Sequence, residues 1–228
     1  MKAYFNGVKK SLAGTELCNY YINATKTAVI TIDMHRGHLD AGPDCPCPAP
    51  RARAIIKPID KFTAACRQLG MPIIHVRSVL RKDGSDDVNG NISAWRLVFP
   101  MTVGDIAGSG EHALEGTKWT EFAIRVEEKD YIVNGKKRLS AFYPTDLELL
   151  LRNLHKETIV LVGTMTDCCV LNTAFDGANR DFRIIVPRDL CRGFEDLEEP
   201  ALRIISLHLG LVVDSGDLLQ AWQEQLAD

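Results

Sequence analysis

Cys168 and Cys169 stand side by side in the stretch GTMTDCCVLN (163 to 172), just after an apolar run and just before a helical pattern. Such a pair can exchange disulfides, ligate a metal, pack, or supply one sulfur as a nucleophile. Cys169 follows a tight turn with Thr166 or Asp167 as N-cap, where helix N–H groups favour a thiolate. Burial as a small apolar residue is the plainer fate. Asp33 ends the apolar run TAVITID (27 to 33), and a carboxylate so placed either caps a turn or faces a site. Lys136 sits in GKKRLSAF, which by itself reads as a solvated basic face. Together the three acquire a chemistry. The lysine favours a thiolate, and the carboxylate takes the thiol proton and returns it to a leaving amine.

The elements that would bring them together are legible as alternation. Six strand patterns, 27 to 33, 72 to 79, 131 to 135, 158 to 163, 182 to 187 and 210 to 214, are separated by helix patterns at 51 to 69, 144 to 154, 167 to 180, 198 to 208 and 216 to 226. Several strands are apolar throughout, as parallel strands buried on both faces are. The expectation is a three-layer α/β/α sandwich with a six-stranded, mostly parallel, Rossmann-like sheet. Ligands bind such sheets beyond the carboxyl ends of the strands, where Asp33, Lys136 and the cysteine pair fall. Pro58 should break the 51 to 69 helix or mark its true start. Two long connections, 34 to 50 and 80 to 130, are candidates for pocket walls.

The chain has 228 residues, nearly half of them apolar, which suits one domain over 1 to 228 with residues 1 to 26 as an N-terminal extension. A net charge of -3 without a dense basic block gives no footprint for nucleic acid or for an anionic membrane. Nothing approaches a signal core or the roughly 20 apolar residues of a membrane span, so a cytoplasmic protein is expected. Seven cysteines in a chain of this size read as reduced thiols.

Three stretches, VITIDMH, KKRLSAFYPTDLELLL and LVGTMTDCCVLNTAFDGANRDFRIIVPRD, resemble the isochorismatase-like cysteine hydrolases. That family includes nicotinamidases, N-carbamoylsarcosine amidase, and ureide hydrolases acting on biuret and triuret. The last stretch is similar to the family's Gly-x-x-Thr-x-x-Cys-Val-x-x-Thr-Ala segment, which places the nucleophile at Cys169 and leaves Cys168 on a variable position. Lys136 matches the lysine of the Lys-x-Arg-Tyr-Ser-Ala-Phe motif, although Leu139 stands where the tyrosine is usual. The resemblance implies a catalytic set of Asp33, Lys136 and Cys169. It also implies an oxyanion hole from the Met165 and Cys169 N–H groups and a cis peptide between Thr164 and Met165. It further implies a homodimer or homotetramer and no cofactor.

The nicotinamidases of the family hold a metal through an Asp-x-His motif after the second strand. HVRSVLR (75 to 81) lacks that motif, so no metal is expected. His35 and His38 form a pair without a third ligand, which reads as hydrogen-bonding scaffold, and CPCP (45 to 48) reads as a rigid loop. Candidate substrate contacts are His35, Arg36, Asn91, Trp95, Phe142 and His208, with Asn89 and Arg96 beside them. Amide and guanidinium groups of this kind suit a small, planar substrate rich in carbonyl and N–H groups. The resulting expectation is a metal-independent amidohydrolase of a small amide, carbamoyl or ureide substrate, triuret or biuret most concretely. The alternatives are a nicotinamidase-like or isochorismatase-like hydrolase, or a thiol redox switch in which Cys168 acts with Cys169. On helical geometry successive side chains point about 100 degrees apart, so Cys168 is expected to pack sideways, out of the pocket.

Overall fold

The computed structural model describes residues 1–87 and 92–227. Asn89 and Asn91 fall outside the described residues. The chain opens with β1 (Lys2–Phe5), β2 (Val8–Ser11), α1 (Glu16–Tyr21), β3 (Thr27–Ile32), the single turn α2 (Arg36–Leu39) and α3 (Ile56–Gln68). It continues with β4 (Ile73–Ser78), α4 (Ala94–Val103), β5 (Tyr131–Lys136), α5 (Leu147–Asn153), β6 (Thr158–Thr164) and α6 (Leu171–Ala178). The last elements are β7 (Arg183–Pro187), β8 (Cys191–Arg192), α7 (Glu195–Ile204), β9 (Gly210–Val213) and α8 (Ser215–Ala227).

Strand order is β2-β1-β9-β7-β6-β3-β4-β5, with the two-residue β8 added beside the end of β6. β3, β4, β5, β6, β7 and β9 run parallel, and they are the six strands expected. Among the described residues the sheet nevertheless has nine strands, which corrects the count of six. Two of the extra strands come from the expected N-terminal extension. Asn6 and Gly7 both take positive φ, 49° and 81°, the hairpin geometry that Asn-Gly favours, and β1 then pairs antiparallel with β9. β2 closes that edge with Lys9 and Lys10 exposed, a charged edge that resists further pairing.

Every residue of β3 and of β6 is buried, as their uninterrupted apolar patterns require. Val29 and Val160 face one layer, packed with Ile59 and Phe62 of α3 and Trp222 of α8. Ile30, Ile32 and Leu161 face the other, packed with Leu147 of α5, Ala174 of α6 and Leu202 of α7. The three-layer α/β/α sandwich follows from this two-sided burial. Pro58 lies in the first turn of α3, where its missing N–H leaves no helical bond unmade, so the helix starts beside it and is not broken by it. Among the described residues no helix is long and apolar enough to cross a membrane.

The 80 to 130 connection carries α4 and folds back to the sheet end through bridges of Leu80 with Leu114 and of His35 with Phe122. Its last residue, Asp130, accepts hydrogen bonds from Arg67 (2.6 and 2.9 Å) and from the Glu127 N–H (2.7 Å), and its Oδ2 stands 3.1 Å from His75 Nε2. That buried knot fixes where β5 begins, and therefore where Lys136 ends it.

Candidate active site

β3 ends in a reversal. Asp33 takes φ 51°, a left-handed conformation that Asp tolerates better than most residues, and its carboxylate is fully buried. The ladder between β4 and β5 shifts register between Val76 and Ser78, which sets Ser78 opposite Lys136 at the strand ends. Asp33 Oδ1 accepts from the Ser78 N–H (3.1 Å) and Ser78 Oγ (3.3 Å), and Oδ2 accepts from Lys136 Nζ at 2.6 Å. Lys136 Nζ also reaches Ser78 Oγ at 3.0 Å and Cys169 Sγ at 3.5 Å. A carboxylate, an ammonium and a thiol thus meet at one buried point, supplied by the ends of three parallel strands.

Cys169 is carried by a turn that its surroundings hold tightly. Gly163, at φ 122°, lies so close to β3 that a Cβ there would stand 2.3 Å from the Ile32 carbonyl oxygen. The Thr164–Met165 peptide is cis, and Thr164 Oγ1 donates to the Arg192 carbonyl of β8 at 3.1 Å. Residues Thr166–Val170 form a π-turn, in which the Cys168 and Val170 N–H groups both donate to the Met165 carbonyl at 3.1 Å. Asp167 fastens the outer side by accepting from the Phe194 N–H at 2.9 Å. The Ala141 N–H donates to Thr173 Oγ1 at 3.0 Å, which ties the segment after Lys136 to the helix after Cys169.

Burial raises the Asp33 carboxyl most strongly, but the Lys136 charge, then His35, His38 and the Lys136 hydrogen bond, together outweigh it and hold the group down at about 2. Lys136 is likewise disfavoured by burial and raised by Asp33, so the pair is ionised at neutral pH. Cys169 goes the opposite way from the expectation of a lowered thiol. Contact with the Cys168 thiol, then burial, hold it well above its ordinary value, and the resting sulfur keeps its proton. A nearly buried turn, with Cys168 as immediate neighbour, prevails over the helix-end effect. Lys136 is the charge that favours the Cys169 thiolate, and the Asp33 carboxylate opposes it.

The cluster opens into a cavity of about 90 Å³. Trp95, Leu80, Leu139 and Met165 form part of its wall, with Cys168 beside Cys169. The expectation that Cys168 turns out of the pocket is therefore corrected. A π-turn carries more residues per turn than an α-helix, so adjacent side chains diverge less and both sulfurs reach the same space. All seven cysteines are free thiols.

The expected substrate contacts divide. Trp95 lines the pocket, with the Arg96 guanidinium 4.6 Å from its ring centroid; Arg96 itself pairs with Asp87 and braces the wall. Arg36 instead forms surface ion pairs with Asp40 (2.8 Å) and Glu121 (3.1 Å). Phe142 packs into the core against Phe182, centroids 5.8 Å apart, and His208 is exposed on the turn before β9. None of these three reaches the cavity, because nearness in sequence to a strand end does not set the direction of a side chain. His35 lies behind the wall, fully buried, with Nε2 3.9 Å from Asp33 Oδ1. Ser78 and His112 line the pocket without having been singled out, and Cys47 of the CPCP loop joins them. Ser78 ends a parallel strand and could have been found by that signal, whereas His112 lies deep in a long connection and had none. The Cys45 to Cys47 loop is a wall element: the Cys47 carbonyl lies 2.8 Å from His38 Nδ1, which donates to it, and the Cys45 thiol donates to the Gly37 carbonyl at 3.4 Å.

The Isochorismatase domain family matches residues 27–217 of the chain. N-carbamoylsarcosine amidase of Arthrobacter sp is 27% identical over 165 residues, which cover 72% of this chain and 58% of that protein, less than two thirds of its length. Ureidoacrylate amidohydrolase RutB of Methylorubrum extorquens is 28% identical over 204 residues, 84% of this chain and 81% of that one. Among solved structures, a cysteine hydrolase from Pseudomonas syringae pv. phaseolicola superposes with a TM-score of 0.76 at 25% identity, covering 92% of this chain and 99% of the other.

Proposed function

The chain belongs to the isochorismatase family, and from that premise we propose that it is a cysteine amidohydrolase, opening a C–N bond of a small carbamoyl, ureide or amide substrate through a thioester on Cys169. The observation that carries this reading is the buried contact of Lys136 Nζ with both Asp33 Oδ2 (2.6 Å) and Cys169 Sγ (3.5 Å) at the mouth of a small cavity. Such a contact is costly to bury for stability alone, and it has the components of an activated thiol.

The Cys169 thiol gives its proton to the Asp33 carboxylate as the sulfur attacks the carbonyl carbon. Lys136 stays an ammonium throughout and offsets the charge that develops on sulfur. The Met165 and Cys169 N–H groups receive the oxyanion. Asp33 then passes its proton to the departing nitrogen, the C–N bond breaks, and ammonia or an amine leaves a thioester behind. Water attacks that thioester with Asp33 as base, which releases the acid and restores the thiol.

The relatives named for carbamoylsarcosine and ureidoacrylate support the carbamoyl and ureide side of the reading. Biuret and triuret are the concrete candidates of that class. Assembly into a homodimer or homotetramer belongs to the same proposal. Leu97, Val98 and Met101 of α4 leave an exposed apolar face next to Trp95, which a second copy would cover, and light scattering on the purified chain measures it.

An ammonia-release screen over biuret, triuret, carbamoyl amino acids, nicotinamide and dicarboxylic monoamides tests the function. Turnover on the carbamoyl or ureide compounds is expected. Turnover on nicotinamide alone contradicts the substrate class. Pyruvate release from isochorismate, or reversible thiol oxidation with no hydrolysis at all, contradicts the reaction.

A further inference from the structure

His35, His38 and His112 come from two distant segments and meet at one buried point. The ring centroids of His35 and His38 are 4.6 Å apart, those of His38 and His112 4.8 Å, and those of His35 and His112 5.6 Å. One nitrogen of each lies within 4.8 Å of the others. The pair read from the sequence therefore has the third partner it lacked. Around a single ion, metal–nitrogen distances of about 2.0–2.1 Å and tetrahedral angles put imidazole centroids about 5 Å apart. The three rings already stand near that spacing.

Their hydrogen bonding points the same way. His38 Nδ1 donates to the Cys47 carbonyl at 2.8 Å, which leaves the Nε2 lone pair free and fixes the ring, as a hydrogen bond from the other ring nitrogen fixes metal-bound histidines. Both nitrogens of His35 and Nδ1 of His112 are buried without a hydrogen-bond partner among the described residues. All three rings are buried, His35 completely. Three packed rings could serve as core filler, yet filler does not call for buried nitrogens on His35 and His112 left without a partner among the described residues.

We propose that His35, His38 and His112 form a binding site for one divalent transition-metal ion of the zinc type, with its open coordination position facing the pocket. Three imidazoles without a fourth protein ligand are the donor set of an open site and suit zinc, copper, iron or nickel. His38 and His112 line the same cavity as Asp33 and Cys169, so a carbonyl oxygen of a bound substrate is the natural fourth ligand. The ion would orient the substrate, while bond making stays with Cys169. These ligands lie on other elements than an Asp-x-His motif after β4, which residues 75 to 81 lack. The site stands independently of the hydrolase reading, because its test measures binding and not turnover.

The full chain, stripped with a chelator and titrated with Co2+, is expected to take up one ion per chain. The visible ligand-field band of a four- or five-coordinate ion should appear without a thiolate charge-transfer band, and Zn2+ should displace it. His38→Gln and His112→Gln should each weaken binding at least about a hundredfold, with near-ultraviolet circular dichroism verifying the fold, whereas Cys169→Ser should bind as wild type does. Ring-nitrogen NMR of the unsubstituted chain supplies a readout that no folding defect can obscure: Zn2+ should shift nitrogens of three histidines. Failure to bind Co2+ and Zn2+, a thiolate band lost in Cys169→Ser, or undiminished binding in both histidine variants would overturn the proposal.

Discussion

Lys136→Met keeps most of the buried stem and removes the ammonium. Lys136 is 2% exposed and Asp33 is fully buried, so the change strands a carboxylate with only the Ser78 N–H and Oγ as donors, at 3.1 and 3.3 Å. Removing one partner of a buried pair costs about 3–5 kcal/mol. Asp33→Asn should cost a similar amount, because it leaves the ammonium unpaired. The double variant removes both charges and should cost no more than either single change, which gives a coupling energy of at least about 3 kcal/mol. Urea denaturation followed by fluorescence of the three tryptophans reads this out, and each single variant should lower the midpoint by at least about 1 M. The sign with pH is also determined. Asp33 is held at about 2 in the folded chain, below its unfolded value, so the contribution of the pair is complete above about pH 4 and fades as the pH falls toward 2. The gap between wild type and Lys136→Met should narrow over that window. Each variant, single or double, should also lose at least about a hundredfold in kcat. A double variant whose cost equals the sum of the singles would refute the claim that this is one buried, coupled pair.

Gly163→Ala places a Cβ 2.3 Å from the Ile32 carbonyl oxygen at positive φ, and should cost at least about 2 kcal/mol in urea denaturation, with kcat falling as the turn shifts. Trp95→Ala should raise KM about tenfold or more through lost wall contact, an effect of about 1.4 kcal/mol, whereas Arg36→Ala, which touches only surface carboxylates, should leave kcat/KM within about twofold of wild type. Burial pushes the Cys47 and Cys191 thiols up to about 12, so the folded chain holds their protons after the unfolded chain has lost them. The contribution of these two thiols should be steady below about pH 8.5, and stability should then fall by up to about 1.4 kcal/mol per pH unit for each thiol. Denaturation midpoints at pH 8 and pH 10 check this, and Cys191→Ala should flatten the slope.

The parallel strands were legible because β-branched, wholly apolar runs have few other places to go in a chain of this size. Asp33, Lys136 and Cys169 drew notice because each lies at or just after the carboxyl end of a strand pattern, and the choice of Lys136 and Cys169 over their neighbours came from the family resemblance. The β1–β2 hairpin carried its signal openly in Asn6-Gly7, but its strands are only four residues each and show no sustained alternation. β8, two residues long, has no sequence pattern at all. The π-turn at Thr166–Val170 looks like the start of α6 in sequence, and that one difference both brings Cys168 into the pocket and helps hold the Cys169 proton. Arg36, Phe142 and His208 lie in segments of the expected chemistry, but ion pairs, core stacking and exposure respectively take their side chains elsewhere. His112 joins His35 and His38 only through the folding of a long connection, which local pattern does not reveal.

The central claim, that one of two adjacent sulfurs in the same pocket carries the acyl group, is met most directly by trapping that group. Turnover of a substrate identified in the ammonia-release screen is quenched in acid, and the chain is digested and mapped by mass spectrometry, for wild type, Cys168→Ala and Cys169→Ala. The account predicts an acyl adduct on Cys169 in wild type and in Cys168→Ala, which keeps most of its activity, and neither adduct nor ammonia release in a folded Cys169→Ala. An adduct on Cys168, or ammonia release by Cys169→Ala, would contradict it.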